Sequence, residues 1–325
     1  MEKIDKNNTI KNKFPGVLKE RALIALVTMA TLSITWGLAR NNDVTGVNPY
    51  KFWVEKTQWQ NIANVVIAGD SRTYRGVSPA ILESYLSDLK ALNYGFASAG
   101  YSEDYLNAIE NVLSDTDKQK IIILCITPHS LTSSAASDNE FIEYYQKSDK
   151  DKFLLKTFGS FYGFFKPMTF ERGQVTNLLN SGLKKTHYYE DYKINGWVAS
   201  SKKPENPNEA LEIYSRVFKK SGAVSTEIIN GLIKRVEKWH EVGISVYGLR
   251  LPTSSEMVYL ENKLTHFNEK NFIDKFENAG GIWLTLTQNK YHSYDGSHLR
   301  VDAAIQLSED IARCIMPTSL AIDEK

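Results

Sequence analysis

Three residues of this chain have types and spacing that could support nucleophilic catalysis. Ser71 lies in IAGDSRTYRGVSP, where a run of β-formers stops at Gly69-Asp70-Ser71. Asp295 and His298 lie in YHSYDGSHLRVDAA, three positions apart. In a turn, a carboxylate at that spacing can accept a hydrogen bond from the imidazole Nδ1–H. The bond fixes the tautomer and leaves Nε2 free to take a proton from a hydroxyl. Neither half is specific alone. Gly-Asp-Ser most often marks a turn, and a loop Asp-His pair is commonly a satisfied polar contact. The chemistry exists only if the fold brings the two halves together.

The pattern of elements predicts that it does. After residue 60 strands and helices alternate. NVVIAG (64–69) reads as a first strand, and Ser78-Pro79 as the cap and first residue of a helix over 79–88. KALNYGFA (90–97) is the second strand candidate, followed by a helix over 102–115 with Tyr105, Ala108, Ile109 and Val112 at helical spacing. KIIILCIT (120–127) is a continuous apolar run, as expected of a parallel strand covered on both faces. Residues 128–220 break the rhythm with polar TSSAASDN, aromatic FGSFYGFFKPMTF and the loop KKPENPN, and read as a partly helical insertion. Alternation resumes with a helix over 224–242, the strand ISVYGLRLP (244–252), a long helix over 255–278, the strand GGIWLTLT (280–287) and an amphipathic helix from Val301 to Ile315. This order predicts an α/β fold, a mostly parallel sheet with helices on both faces. Ligands in such sheets sit beyond the carboxyl ends of the strands. Gly69 to Ser71, Ala97 to Gly100, Thr127 to His129, Arg250 to Pro252 and the segment after Thr287 are therefore expected along one edge. Arg72 and Arg75 flank the candidate nucleophile, and with Arg250 they are candidate substrate ligands at that edge.

Composition bounds the partners. The 325 residues carry 39 Lys/Arg and 38 Asp/Glu. Seven basic and three acidic residues fall in 1–40, so the remainder holds 32 against 35. That balance disfavours nucleic acid as a partner. Residues 22–39, ALIALVTMATLSITWGLA, are eighteen positions without a charge, and six Lys/Arg precede them. The stretch is long enough for a bilayer core, and the asymmetry predicts an N-terminus in the cytoplasm and the rest outside. A cleaved signal peptide fits less well, because WGLARNN lacks a small-x-small site. The expected organisation is a cytoplasmic segment 1–21, an anchor 22–39, a linker 40–60 and a domain 61–325. The two cysteines, Cys125 and Cys314, read as separate buried thiols. No phosphate loop or zinc spacing is present, so neither metal nor cofactor is expected.

Taken together, the blocks resemble the SGNH, or GDSL-like, hydrolase superfamily over residues 60–127 and 224–315. Gly69-Asp70-Ser71 matches its first block, and Asp295-Gly296-Ser297-His298-Leu299 its last. NYGFASAGYS (93–102) stands where the family has an Asn-x-Gly loop. The resemblance implies a three-layer α/β/α sandwich with a flavodoxin-like sheet. It also implies Ser71, His298 and Asp295 as nucleophile, base and orienter, and an oxyanion hole from the N–H groups of Ser71 and Gly100. Ser98 or Ala99 could replace Gly100 through backbone. The family's third oxyanion donor, an asparagine after strand three, is missing from CITPHSLTSS; His129, or Asn139 folded back, could replace it. The likeness is closest to membrane-anchored bacterial envelope members. It implies a serine esterase or O-acyltransferase acting on an envelope polysaccharide at the cytoplasmic membrane, beside a multi-spanning acyltransferase partner. An inactive accessory binding protein and a lipase or thioesterase are the alternatives.

Overall fold

The computed structural model describes residues 14–39, 42–165, 187–287 and 290–316. It divides into two units, Met1–Asn42 and Asp43–Lys325. The first contains the helix Phe14–Ala39, on which Leu23, Ile24, Leu26, Val27 and Met29 are exposed. The segment expected as a membrane anchor falls within this helix. Among the described residues no helix is long and apolar enough to cross a membrane.

The described strands are β1 (Asn42–Gly46), β2 (Val65–Gly69), β3 (Ala91–Asn93), β4 (Ile121–Cys125), β5 (His187–Tyr192), β6 (Val198–Lys203), β7 (Ser245–Leu249) and β8 (Ile282–Trp283). Five of them form a parallel sheet in the order β3-β2-β4-β7-β8. In chain order this is a 2-1-3-4-5 arrangement, whose crevice opens beyond the carboxyl ends of the first and third strands. Gly69 pairs with Cys125, and Cys125 with Leu249, so those ends lie level.

Side-chain alternation divides the interior into two cores. Val66, Ala68, Ile122, Leu124 and Val246 face one way, toward the helices Glu103–Val112, Thr226–Glu241 and Glu269–Asn278. Val65, Ile67, Ile121, Ile123 and Leu249 face the other way, toward Pro79–Tyr85 and Val301–Ile315. The result is helix, sheet, helix. The helix expected over 255–278 is two, Ser255–Thr265 and Glu269–Asn278, separated where His266 turns left-handed and Asn268 caps the next helix. Cys125 is buried, but Cys314 is exposed, contrary to expectation.

Of the expected linker 40–60, the described residues from Asn42 onward are built into the fold. β1 joins β5 and β6 in a second, three-stranded sheet, so the expected insertion and the expected linker build one layer. The helix Pro49–Lys56 buries Phe52, Trp53, Val54 and even Lys56 in the first core. The Lys56 ammonium donates to the Gly95 carbonyl and sits among the rings of Phe52, Trp53 and Phe96. The β5–β6 turn covers the edge of β3: Asn93 donates its N–H to the Asn195 carbonyl at 2.9 Å. Covering an edge in this way removes a template for unwanted pairing. Trp53→Ala is expected to destabilise the protein by about 3–5 kcal/mol in urea unfolding. A change under about 0.5 kcal/mol would show that residues 43–60 are an appendage after all.

Candidate active site

β2 ends at Gly69 with φ +152°, where a Cβ would lie 2.2 Å from Thr73 Oγ1 and 2.7 Å from the Cys125 carbonyl. Only glycine fits this close strand-to-helix turn. Asp70 then caps the short helix Ser71–Gly76. Its Oδ1 accepts from the Arg72 N–H at 3.0 Å, and its Oδ2 accepts from Thr127 Oγ1 at 2.7 Å. The second bond ties the turn after β2 to the turn after β4, across the crevice. Ser71 is the first residue of its helix, where backbone N–H groups have no partner within the helix.

The loop after β8 meets Ser71 from the other side. Ser71 Oγ lies 2.9 Å from His298 Nε2, and His298 Nδ1 lies 2.8 Å from Asp295 Oδ2. Asp295 Oδ1 also accepts the N–H groups of Ser297 and His298, at 2.8 and 2.7 Å. Burial alone would raise the Asp295 carboxyl. The His298 contact and the two N–H bonds outweigh it and bring the carboxyl down to about 2. Gly296 makes the tight turn with φ +89°, and a Cβ there would lie 2.0 Å from the Pro207 carbonyl oxygen. The Tyr294 ring stacks on His298 at 6.0 Å between centroids. The arrangement can take the Ser71 proton onto an imidazole whose orientation is locked by a carboxylate.

A cavity of about 270 Å³ opens onto this constellation. Asp70, Ser71, Ser98, His129, Asp295 and His298 line its polar side. Ala210, Ile213, Tyr214 and Val217 line the other, with Glu209 between. These last five belong to the helix Glu209–Ser221, which lies inside the region read as an insertion. Its role was missed from sequence. The available signal was the spacing of Ala210, Tyr214 and Val217, which share one helical face. The Ala210 N–H donates to the Asp295 carbonyl at 3.0 Å and pins the start of the helix to the histidine loop.

Several expected site residues lie elsewhere. Gly100 does not line the cavity; a Cβ on it would lie 2.4 Å from the Ala135 carbonyl carbon, so its small size serves packing against the helix Ser133–Ser137. Ser98 takes the position by the cavity, with a left-handed φ of +54°. A non-glycine residue so placed is a feature that clusters at functional sites. Asn139 is also displaced: its side chain accepts the Ile142 N–H and donates to the Ala135 carbonyl, capping the helix Glu140–Tyr145. His129 does line the cavity.

The three arginines do not line the cavity either. Arg72 and Arg250 both reach Glu261, each at 2.6 Å, and Arg250 also pairs with Glu269. Glu261 is fully buried, and the Arg72 contact lies outside hydrogen-bond geometry, so charge holds that pair. Arg72 Nε donates to Ser297 Oγ at 2.9 Å, inside the Asp-Gly-Ser-His turn. Arg75 pairs with Glu190 of β5 at 2.7 Å, with Tyr74 and Tyr188 against its guanidinium. The charges at these positions are ion-paired within the protein, away from the cavity lining. Among the described residues no group of His, Cys, Asp and Glu could hold a metal ion.

No protein-family model matches the chain, and neither a curated protein nor a solved structure shows detectable similarity to it.

Two outcomes follow for stability. Arg72→Ala leaves Glu261 with one cation fewer in the interior and is expected to cost about 3–5 kcal/mol in urea unfolding. Arg72→Lys should recover only part of this, because ammonium lacks the fork that spans Glu261 and Ser297. The Asp295 carboxyl is depressed in the fold, so its stabilisation is complete above about pH 4 and is lost as pH falls toward 2. Unfolding free energies for wild type and Asp295→Asn should converge by roughly 2 kcal/mol over that window; parallel pH profiles would contradict the assignment.

Proposed function

We propose that this protein is a serine enzyme of SGNH type that transfers or hydrolyses ester-linked acyl groups. The observation that carries the reading is the Ser71–His298–Asp295 relay at 2.9 and 2.8 Å, facing a cavity at the crevice of a parallel sheet. Ser71 Oγ attacks the acyl carbonyl as His298 Nε2 takes its proton. Asp295 holds the imidazole and stabilises its charged form. His298 then returns the proton to the leaving alcohol, and an acyl-serine remains. Water or a sugar hydroxyl, deprotonated by the same histidine, resolves it. The 2-1-3-4-5 strand order supports a flavodoxin-like, three-layer placement within that superfamily.

The cavity, at about 270 Å³, is below the usual range for drug-sized ligands and favours a short acyl group over a long chain. The reading as a lipase is accordingly weaker. An assembled relay likewise favours an enzyme over an inactive accessory. The envelope setting rests on sequence: the uncharged stretch 22–39, with its basic flank, supports a membrane-anchored enzyme facing outward. It would act on an O-acylated polysaccharide, with acyl groups delivered by a multi-spanning partner.

The full-length protein should hydrolyse p-nitrophenyl acetate and incorporate a fluorophosphonate at Ser71. Ser71→Ala should lower the rate by at least about 10³-fold and abolish incorporation. Equal, background-level rates for wild type and Ser71→Ala would sink the proposal. Transfer of acetyl to added oligosaccharide would separate a transferase from an esterase.

A further inference from the structure

The reaction proposed above develops a negative oxygen on the attacked carbonyl, and the cavity wall beside it includes Ser71 and Ser98. A side-chain donor aimed at that oxygen would add to its stabilisation. The two residues that sequence nominated do not supply it. Asn139 has both ends of its amide engaged in a helix cap, away from the cavity. His129 lines the cavity, but its Nδ1 faces Ser221 Oγ at 3.4 Å, and that hydroxyl donates its own proton to the Val217 carbonyl at 2.9 Å. Ser221 can therefore only accept from Nδ1–H. Burial holds the His129 imidazole below its ordinary range, so it is neutral near pH 7 and carries one proton. With the proton on Nδ1, its Nε2 is an acceptor and gives no bond to an oxyanion.

Besides Ser71, two side-chain hydroxyls line the cavity, those of Ser98 and Tyr214, and the second is the one seated on a buried cation. Tyr214, from the helix Glu209–Ser221, lines the cavity together with Ser71 and His298. Its ring lies 5.3 Å from the Arg72 guanidinium carbon, and Arg72 is itself fixed by Ser297 and Glu261. The ring thus rests on a buried cation, a contact that orders aromatic side chains. The Ser71 and Ser297 hydroxyls neighbour the Tyr214 oxygen and partly offset the effect of its burial. Burial raises the Tyr214 hydroxyl above the ordinary phenol range, so it keeps its proton and stays a donor.

We propose that the Tyr214 hydroxyl is a catalytic residue that donates a hydrogen bond to the oxyanion formed when Ser71 attacks. In that step the Ser71 Oγ–carbon bond forms and the carbonyl π pair moves onto oxygen. The serine proton passes to His298 Nε2. Tyr214 transfers no proton; its O–H is directed to the new oxyanion. The assignment rests on the serine-enzyme reading. It gives the Glu209–Ser221 helix a function, since moving that helix would remove the donor.

The test uses full-length protein, p-nitrophenyl acetate, a fluorophosphonate and an alkyl boronic acid as a tetrahedral mimic. Tyr214→Phe removes only the hydroxyl and keeps the ring on Arg72. It should lower kcat by about 10²-fold with KM changed by less than about threefold, the size of effect for one oxyanion donor. Boronic acid affinity should fall in parallel with kcat, and the thermal midpoint should be unchanged. Unchanged kcat, or a loss confined to KM, overturns the assignment while leaving the serine-enzyme reading intact. Failure of the wild type to incorporate fluorophosphonate at Ser71 overturns both.

Discussion

A single buried carboxylate, Glu261, holds the carboxyl edge of the sheet together. It receives Arg72 from the turn after β2 and Arg250 from the end of β7, and Glu269 balances the second arginine. Charges removed from water are tolerated only when paired, and removing one partner leaves the others at a cost of several kcal/mol. The four side chains therefore persist as a set. Arg72 carries the constraint onward, through Ser297, into the turn that holds Asp295 and His298. The distance between Ser71 and His298 thus depends on an ion pair that touches neither.

The rest of the site is braced in the same way, by polar contacts between turns that are distant in the chain. Asp70 ties the turn after β2 to Thr127, and Arg75 ties the Ser71–Gly76 helix to β5. The loop after β3 is gripped from both sides. Lys56 binds the Gly95 carbonyl, and Glu140 accepts the Ala97 N–H at 2.9 Å while donating its own N–H back to Ala97. Burial lifts the Glu140 carboxyl to about 7. Ser98, next in the chain, is held in its left-handed conformation by these neighbours. A site assembled from several loops gains its rigidity from such contacts, and the proposed reaction would use it, because preorganised groups need not move when charge develops.

Much of this was legible beforehand. The β-branched runs at 64–69 and 120–127, the amphipathic faces of the helices and the alternation between them predict the parallel sheet and its ligand edge. Asp295 and His298 were legible because their contact closes within one turn. The failures have a common cause. Arg72, Arg75 and Arg250 stood at the ligand edge, and sequence shows which charges lie near an edge but not whether an acid from another element reaches them first. Gly100 was chosen by spacing, whereas the structure uses its missing side chain to admit the Ser133–Ser137 helix. Residues 43–56 looked like a linker because the apolar cluster Phe52-Trp53-Val54 is short, and its partners Tyr74, Phe96 and Tyr192 are remote.

By itself the sequence determined most elements of the parallel sheet, their alternation, and the two local turns that carry serine, acid and histidine. These follow from short-range sterics, hydrophobic periodicity and hydrogen bonds spanning a few residues. Tertiary structure alone decided that Ser71 and His298 meet, that the arginines are spent on Glu261 and Glu190, and that Tyr214 lines the cavity. Those outcomes depend on which distant groups compete for the same buried space and charge. That competition is resolved only when the layers pack.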